Sequence, residues 1–316
     1  MFASFLAAFF FALNATCASH SVRASGAVWA NLGRLLVATA MLGLFAHTFG
    51  HGFASASTGW FLLSGIIGMG LGDLGVYAAL PLLGSRLTVL MTQCLAAPIA
   101  ALGEWLWLGT RLTALQVLWG LVILAGVAVA IMPSKSSPPR VRVRPVGFLF
   151  GLVAAAGQGF GALVSRKGVI VADAAGEAAH NATFGLNAAY HRIFAGLVFT
   201  AAWFLVLRTL NQLPAPRTTP PPPQKKSHMT GDIFSGRHGP KLWILANGLA
   251  GPVAGVGCYQ WALATTPSGI VLPIAATAPL LSIPIAFWLE GDRPTRRAII
   301  GGVIAVAGCA ALAVVK

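Results

Sequence analysis

Apolar residues fall along this chain in ten long runs, separated by short polar breaks. The runs are Phe2–Ala18, Val28–Phe45, Trp60–Leu83, Leu87–Leu108, Leu115–Met132, Val146–Val164, Phe184–Leu207, Leu242–Ala264, Ile270–Leu289 and Ala298–Val315. A bilayer core about 30 Å thick takes about 20 apolar residues of α-helix, with roughly 17–25 tolerated. The pattern therefore predicts an all-α, polytopic membrane protein with ten transmembrane helices. The first run could serve as a signal peptide, but its first 22 residues hold no Lys or Arg, so the charged leader segment is missing. It is read as a membrane helix.

Two breaks are longer than the rest. Pro133–Pro145 is basic, with Lys135, Arg140, Arg142 and Arg144. It divides the chain into residues 1–133, a linker at 134–145, and residues 146–316. Thr209–Lys241 carries the run Pro220–Pro223 and reads as an extended solvated loop, with a ligand for a partner's aromatic groove as the alternative.

Composition agrees with the pattern. Hydrophobic residues make up 57% of the chain and charged residues 9%, against about 25% charged in a typical soluble domain. A soluble enzyme is disfavoured on these grounds. The net charge of +14 would suit a nucleic-acid binder, but the bases sit between apolar runs rather than along one stripe. That is how loops lie on an anionic membrane face, so no nucleic-acid partner is expected. Cys17, Cys94, Cys258 and Cys309 are widely separated within apolar runs and form neither a metal motif nor a disulfide framework.

The chain also repeats itself. Residues 75–128 laid over 257–310, a shift of 182 without a gap, match at twelve of 54 positions. Matches of Ala and Val carry little weight in apolar helices. The shared Gly109/Gly291, Arg111/Arg293 and Thr113/Thr295, with Gly75/Gly257 and Tyr77/Tyr259 on one side and Gly120/Gly302 and Gly126/Gly308 on the other, are harder to obtain by chance. Arg34 and Arg192 lie inside the second and seventh runs, which are equivalent helices of two five-helix units. Five is odd, so the second unit enters the membrane from the opposite side. The units are then an inverted pair that can offer one central site to each side in turn.

These features together resemble the EamA-type family of the drug/metabolite transporter superfamily. The residues that carry the resemblance are the loops Trp107–Thr113 and Leu289–Thr295, the glycines Gly120, Gly126, Gly302 and Gly308 that follow them, and Pro98 and Pro279 that precede them. Thr110 departs from the pattern, which usually has an acid there, and the long loop at 209–241 has no counterpart in it. The resemblance implies a transporter of small metabolites and leaves the substrate unspecified.

Charges inside a membrane helix cost on the order of 2.5–3.5 kcal/mol each, so each needs a reason. Asp73 lies mid-run and has two readings. It faces a cavity, where it holds a coupling proton or a substrate amine, or it pairs with Arg34 to join two helices. Arg34 and Arg192 either present a fork to a substrate carboxylate or snorkel to an interface. His191 and Arg192 are neighbours, so only one of them can face the cavity. Tyr77, Tyr259, Gln260 and Trp261 are further candidates for substrate binding, because the two repeat-related tyrosines should lie near the pseudo-axis. Asn14, Gln93, Gln158, Asn187, Asn247 and Gln260 are expected to bind other helices. Glu104 and Glu290 are read as acids tolerated at interfacial helix ends.

Several motifs mislead. Gly70–Gly75 matches a dinucleotide fingerprint but lies inside an apolar run, so it reads as a packing face. His47 and His51 have metal spacing but no third ligand, and no metal or other cofactor is expected. There is no Walker A motif for ATP. Asn14 and Asn181 each begin a glycosylation sequon, the first of them within an apolar run.

The expected function is movement of a small metabolite, an amino acid or related zwitterion, by alternating access through the plasma or inner membrane. No catalytic residues are expected. The partners expected are the solute and membrane lipids, and the assembly a monomer or weak homodimer. The alternatives are an intramembrane enzyme acting on lipid head groups and a non-transporting scaffold. Of the Lys and Arg outside Arg34 and Arg192, 15 lie in the connections after odd-numbered helices and 4 on the other side. The positive-inside rule then places both termini outside, whereas the resemblance implies cytoplasmic termini.

Overall fold

The computed structural model describes residues 1–25, 27–132, 143–210, 239–290 and 295–315. Among these, every regular element is helical, and ten helices are long and apolar enough to cross a membrane. We label them α1 (Phe2–Ser25), α2 (Ala27–Thr48), α3 (58–83), α4 (85–108), α5 (Ala114–Ile131), α6 (Val146–Ala174), α7 (Ala182–Thr209), α8 (239–265), α9 (268–290) and α10 (Arg296–Val314). The chain is a multi-pass membrane protein. The loops at 133–142 and 211–238 and the second Gly-x-Arg turn at 291–294 lie outside the described residues.

Several helices outrun the apolar runs that predict them. α6 continues to Ala174, ten residues past the expected end at Val164. The run stops short of Arg166 because charge ends an apolar stretch, but Arg166 finds a carboxylate partner in Glu104, and the helix carries on. α1 likewise continues past Ala18 because its polar positions are partnered. Ser21 takes a hydrogen bond from Asn247, and the His20 ring stacks on Trp243.

Breaks occur where the backbone demands them. α3 and α4 are separated at Gly84, whose φ of 78° and ψ of 163° suit only a residue without a Cβ. The corresponding break between α8 and α9 is made differently, by an extended Thr266 followed by Pro267. Three helices contain wide π-helical turns, Ile66–Gly72 in α3, Glu104–Leu108 at the end of α4 and Leu249–Val256 in α8. Pro252 has no N–H to give to an α-helical bond, and Gly68, Gly70 and Gly72 put no side chains in the way of the wider turn.

Packing follows one scheme. α6 lies against α3 and α4, α1 against α8 and α9, α2 against α7, and α5 against α10. Small residues permit these approaches. A Cβ on Gly157 would come within 2.5 Å of the Cα of Gly72, and one on Gly301 would lie against the carbonyl oxygen of Gly126. Lipid gives helices no hydrophobic reason to associate, so close contact through small residues has to supply the attraction. The outward faces are apolar, with Leu44, Leu106, Val303 and Val306 more than half exposed. That is the surface a bilayer requires.

The α5–α10 seam supplies a test. A Cβ at Gly126 would stand 2.6 Å from the Ala305 nitrogen, whereas one at Gly302 meets nothing within 4 Å. We expect Gly126→Val to cost about 1–3 kcal/mol, in the usual range for overpacking, and Gly302→Val to be close to neutral. Thermal unfolding of the two variants in detergent compares them.

Candidate functional site

A cavity of about 420 Å³ opens among the helices, lined by residues from α1, α2, α3, α4, α6, α7, α8 and α9. Its charged residues are Arg34 from α2, Asp73 from α3 and Arg192 from α7. Tyr259 from α8 adds an aromatic wall, and Asn14, Gln93 and Gln158 add amides. Met69, Val89 and Leu272 make part of the rest apolar.

The chain builds this centre from neighbouring turns. Gly65 in α3 clears room for the backbone of α7, where a Cβ would run into the Arg192 carbonyl oxygen. Gly68 lies three residues on, and a Cβ there would come within 2.5 Å of Arg192 Nη2. The guanidinium thus occupies a slot that exists because position 68 is glycine. Within it, Arg192 Nη1 donates to Ser64 Oγ at 2.9 Å, to Ser165 Oγ at 3.2 Å and to the Gly161 carbonyl at 3.4 Å. Its carbon Cζ stands 5.7 Å from the centre of the Tyr259 ring, within cation–π range. The side chain is held by neutral groups. Among the described residues, no carboxylate pairs with it.

Arg34 is held differently. Its Nε donates to Asn31 Oδ1 at 2.8 Å, and its Nη2 stands 3.7 Å from Asp73 Oδ2. Asp73 thus pairs with Arg34 and also lines the cavity. Both arginines line the cavity. Gln158 Nε2 donates to the Gly68 carbonyl in the π-helical turn at 3.3 Å.

The predicted residues divide clearly. Arg34, Asp73, Arg192 and Tyr259 meet around one space. Tyr77 follows Asp73 by one turn on the same helix, and its side chain lies outside the described residues. Gln260 and Trp261 do not line the cavity. Gln260 is buried with neither amide atom hydrogen-bonded among the described residues. Trp261 packs on Phe2, with ring centroids 6.4 Å apart, and against Gly185. His191 turns away from Arg192, as adjacent helical positions must, and its Nε2 donates to the Gly52 carbonyl at 2.6 Å.

Three features of this region escape sequence reasoning. Asn14, Gln93 and Gln158 are expected between helices, and they reach the cavity. Ser64 and Ser165, which fix Arg192, carry no signal that singles them out. The reading of Glu104 as a tolerated interfacial acid is corrected. Its side chain is only 2% exposed and joins three helices. It accepts from Arg166 Nε at 3.1 Å, from the Ser268 backbone N–H at 2.7 Å, and from Ser268 Oγ. Arg166 in turn donates to the Leu263 carbonyl at 2.5 Å. The carboxylate thus neutralises an arginine on α6 and caps the first turn of α9, where a negative charge is favoured. Glu290, the other acid read this way, has its side chain outside the described residues.

Among known proteins, the EamA-like transporter family matches residues 1–132 and 145–314. No curated protein matches the chain. A solved structure, known only as the crystal structure of a protein, superposes with a TM-score of 0.68 at 19% identity, covering 98% of this chain and 94% of that one. At that identity the likeness shows the fold alone.

The Glu104 cluster yields a prediction. Glu104→Ala leaves Arg166 without its counter-ion inside the bundle, and we expect a loss of about 3–5 kcal/mol, typical of breaking a buried ion pair. Glu104→Gln keeps the shape and part of the hydrogen bonding, so about 1–3 kcal/mol is expected. Thermal unfolding in detergent should rank them wild type, Gln, Ala.

Proposed function

Because the chain belongs to the EamA-like transporter family, we propose that it carries a small carboxylate-bearing metabolite, of the amino-acid or related class, through the central cavity by alternating access. Family and helices together make it a multi-pass membrane transporter of the drug/metabolite transporter type. The observation that carries the finer reading is the convergence of Arg34, Asp73 and Arg192 on a single cavity. A fork of fixed N–H donors recognises carboxylate geometry, and the apolar remainder of the wall accommodates an organic body.

Alternating access rests on reading the halves as an inverted pair. Contacts between the halves recur with their roles exchanged. A Cβ on Gly65 would meet the Arg192 backbone, and one on Gly248 would meet the Arg34 backbone. Gln158 bonds Gly68 in one π-helical segment, and Asn14 abuts Gly251 in the other. Ser165 bonds Ser64, and Ser21 bonds Asn247. Asn14 and Gln158 are separated by 144 residues, which is also the offset between the family-matched parts beginning at 1 and 145. On the outer surface, a groove lined by Pro98, Gln116 and Gly120 corresponds to one lined by Leu280, Ala298 and Gly302, each 182 residues on. Interfaces repeated in this way let one half rock against the other and reach an equivalent packing.

In this reading Asp73 is the coupling group. A proton on its carboxylate breaks the pair with Arg34 and frees that guanidinium for the solute. The cavity faces the plasma or inner membrane's two sides in turn. An enzyme acting on lipid head groups is the competing reading, and hydrolysis of a lipid phosphate without flux of any solute would favour it.

Proteoliposomes test the proposal. Uptake of a metabolite panel should reveal at least one carried solute, and an imposed pH gradient should drive its accumulation. Asp73→Asn should abolish the response to the gradient while solute exchange at equal pH continues. A response equal to that of wild type would remove Asp73 from the coupling role. Flux of no solute would overturn transport through this cavity.

A further inference from the structure

From the charge inventory of the cavity we infer that this transporter selects solutes of net negative charge over zwitterions and cations, with Arg192 as the fixed anchor for the anion. The inference rests on the transport reading above and narrows its substrate class.

Among the lining residues, two guanidinium groups face one carboxylate. Arg34 and Asp73 stand 3.7 Å apart and largely cancel each other. The Asp73 charge also reaches Arg192, but one carboxylate cannot neutralise two guanidinium groups. Among the described lining residues one positive charge is therefore in surplus, and Arg192 is the arginine without an ion-pair contact. Its hydrogen bonds go to two hydroxyls and a carbonyl, none of which carries charge. The Tyr259 ring stabilises a cation without neutralising it. An arginine keeps its proton in proteins, so the cavity holds one positive charge when Asp73 is ionised and two when it is protonated. Its sign is the same in both states.

A surplus buried charge is costly inside an apolar bundle. A solute with one net negative charge removes that cost on binding. A zwitterion supplies a carboxylate but brings an ammonium group whose nearest acid, Asp73, is already paired with Arg34. A simple amine adds a second positive charge beside Arg192. The ranking expected from charge alone is therefore anion, then zwitterion, then cation.

The slot around Arg192 explains why this residue, rather than Arg34, is the anchor. Ser64 and Ser165 hold one Nη, and Gly68 and Gly161 close around the other. The group is preorganised, so little conformational freedom is lost when an anion binds. Arg34 has to leave Asp73 before it can bind a carboxylate.

The full-length chain in proteoliposomes is the material for the test. Uptake is compared within sets that share a carbon skeleton and do not cross bilayers unaided: glycerate, serine and serinol, and gluconate, 2-amino-2-deoxygluconate and glucosamine. In any set that is carried, the net-anionic member should be favoured by about tenfold or more, the scale of one charge-assisted hydrogen bond. Arg192→Gln should erase that preference, while Arg192→Lys should keep it with weaker uptake. Because position 192 is buried, Gln93→Glu serves as an independent probe. It cancels the surplus charge from a different wall of the cavity and should invert the order in favour of the zwitterion. If wild type carries serine or serinol in preference to glycerate, the charge inference is overturned and the transport reading survives. If Gln93→Glu leaves the order unchanged, the inference is likewise overturned. If neither set nor any other solute moves, the transport reading falls and this inference with it.

Discussion

Charge has no solvent inside a bilayer except what the protein provides, and the centre of this structure is arranged around that constraint. Arg34, Asp73 and Arg192 each lie within a helix long and apolar enough to span the membrane. All three turn inward, toward one cavity, because the alternative is hydrocarbon. The surrounding architecture makes this placement possible. Glycines at 65, 68 and 161 bring α3, α6 and α7 close enough for two serine hydroxyls to reach Arg192. The wide turn at Ile66–Gly72 runs through the same stretch, so the irregular backbone and the buried charge occur together. Irregular backbone at membrane depth is tolerated where it borders a cavity, and here it does.

Much of this is legible in the sequence. The ten apolar runs correspond to the ten spanning helices. Arg34, Asp73 and Arg192 stand out because charge inside an apolar run is expensive and therefore informative. Tyr259 follows from its repeat partner rather than from any property of its own. The limits are equally physical. Tyr259, Gln260 and Trp261 are candidates as a group, but adjacent residues on an α-helix point about 100° apart, so only the first of them faces the cavity. The sequence pattern ends α6 too early because Arg166 looks like an interface, and no local pattern says that Glu104, 62 residues away in sequence, will neutralise it. Ser64 and Ser165 are invisible for a related reason. A small hydroxyl in an apolar run gives no sign of the arginine it will bond.

The asymmetry between the two arginines matters for the mechanism. The proposed repeat makes their helices equivalent, and each packs its backbone on a glycine, Arg192 on Gly65 and Arg34 on Gly248. Yet Arg192 is buried among neutral donors and acceptors while Arg34 reaches across to an acid. Asp73 exists in one half only, since the corresponding stretch of α8 has no acid. In the inverted-pair reading proposed above, a scaffold with a single carboxylate has two conformations of similar packing that differ in electrostatics. That is the combination a coupled carrier requires: equal structural cost on the two sides, and a charge that distinguishes loaded from empty.

Transport by this mechanism requires that the cavity open to each side of the membrane in turn. The direct measurement is thiol accessibility at Thr92→Cys, a cavity-lining position, in a background where Cys17, Cys94, Cys258 and Cys309 are replaced. A membrane-impermeant thiol reagent is added to the outside or the inside of proteoliposomes, with and without a carried solute. Alternating access predicts labelling from both sides and protection by the solute. Labelling from one side only, unaffected by any carried solute, would contradict it.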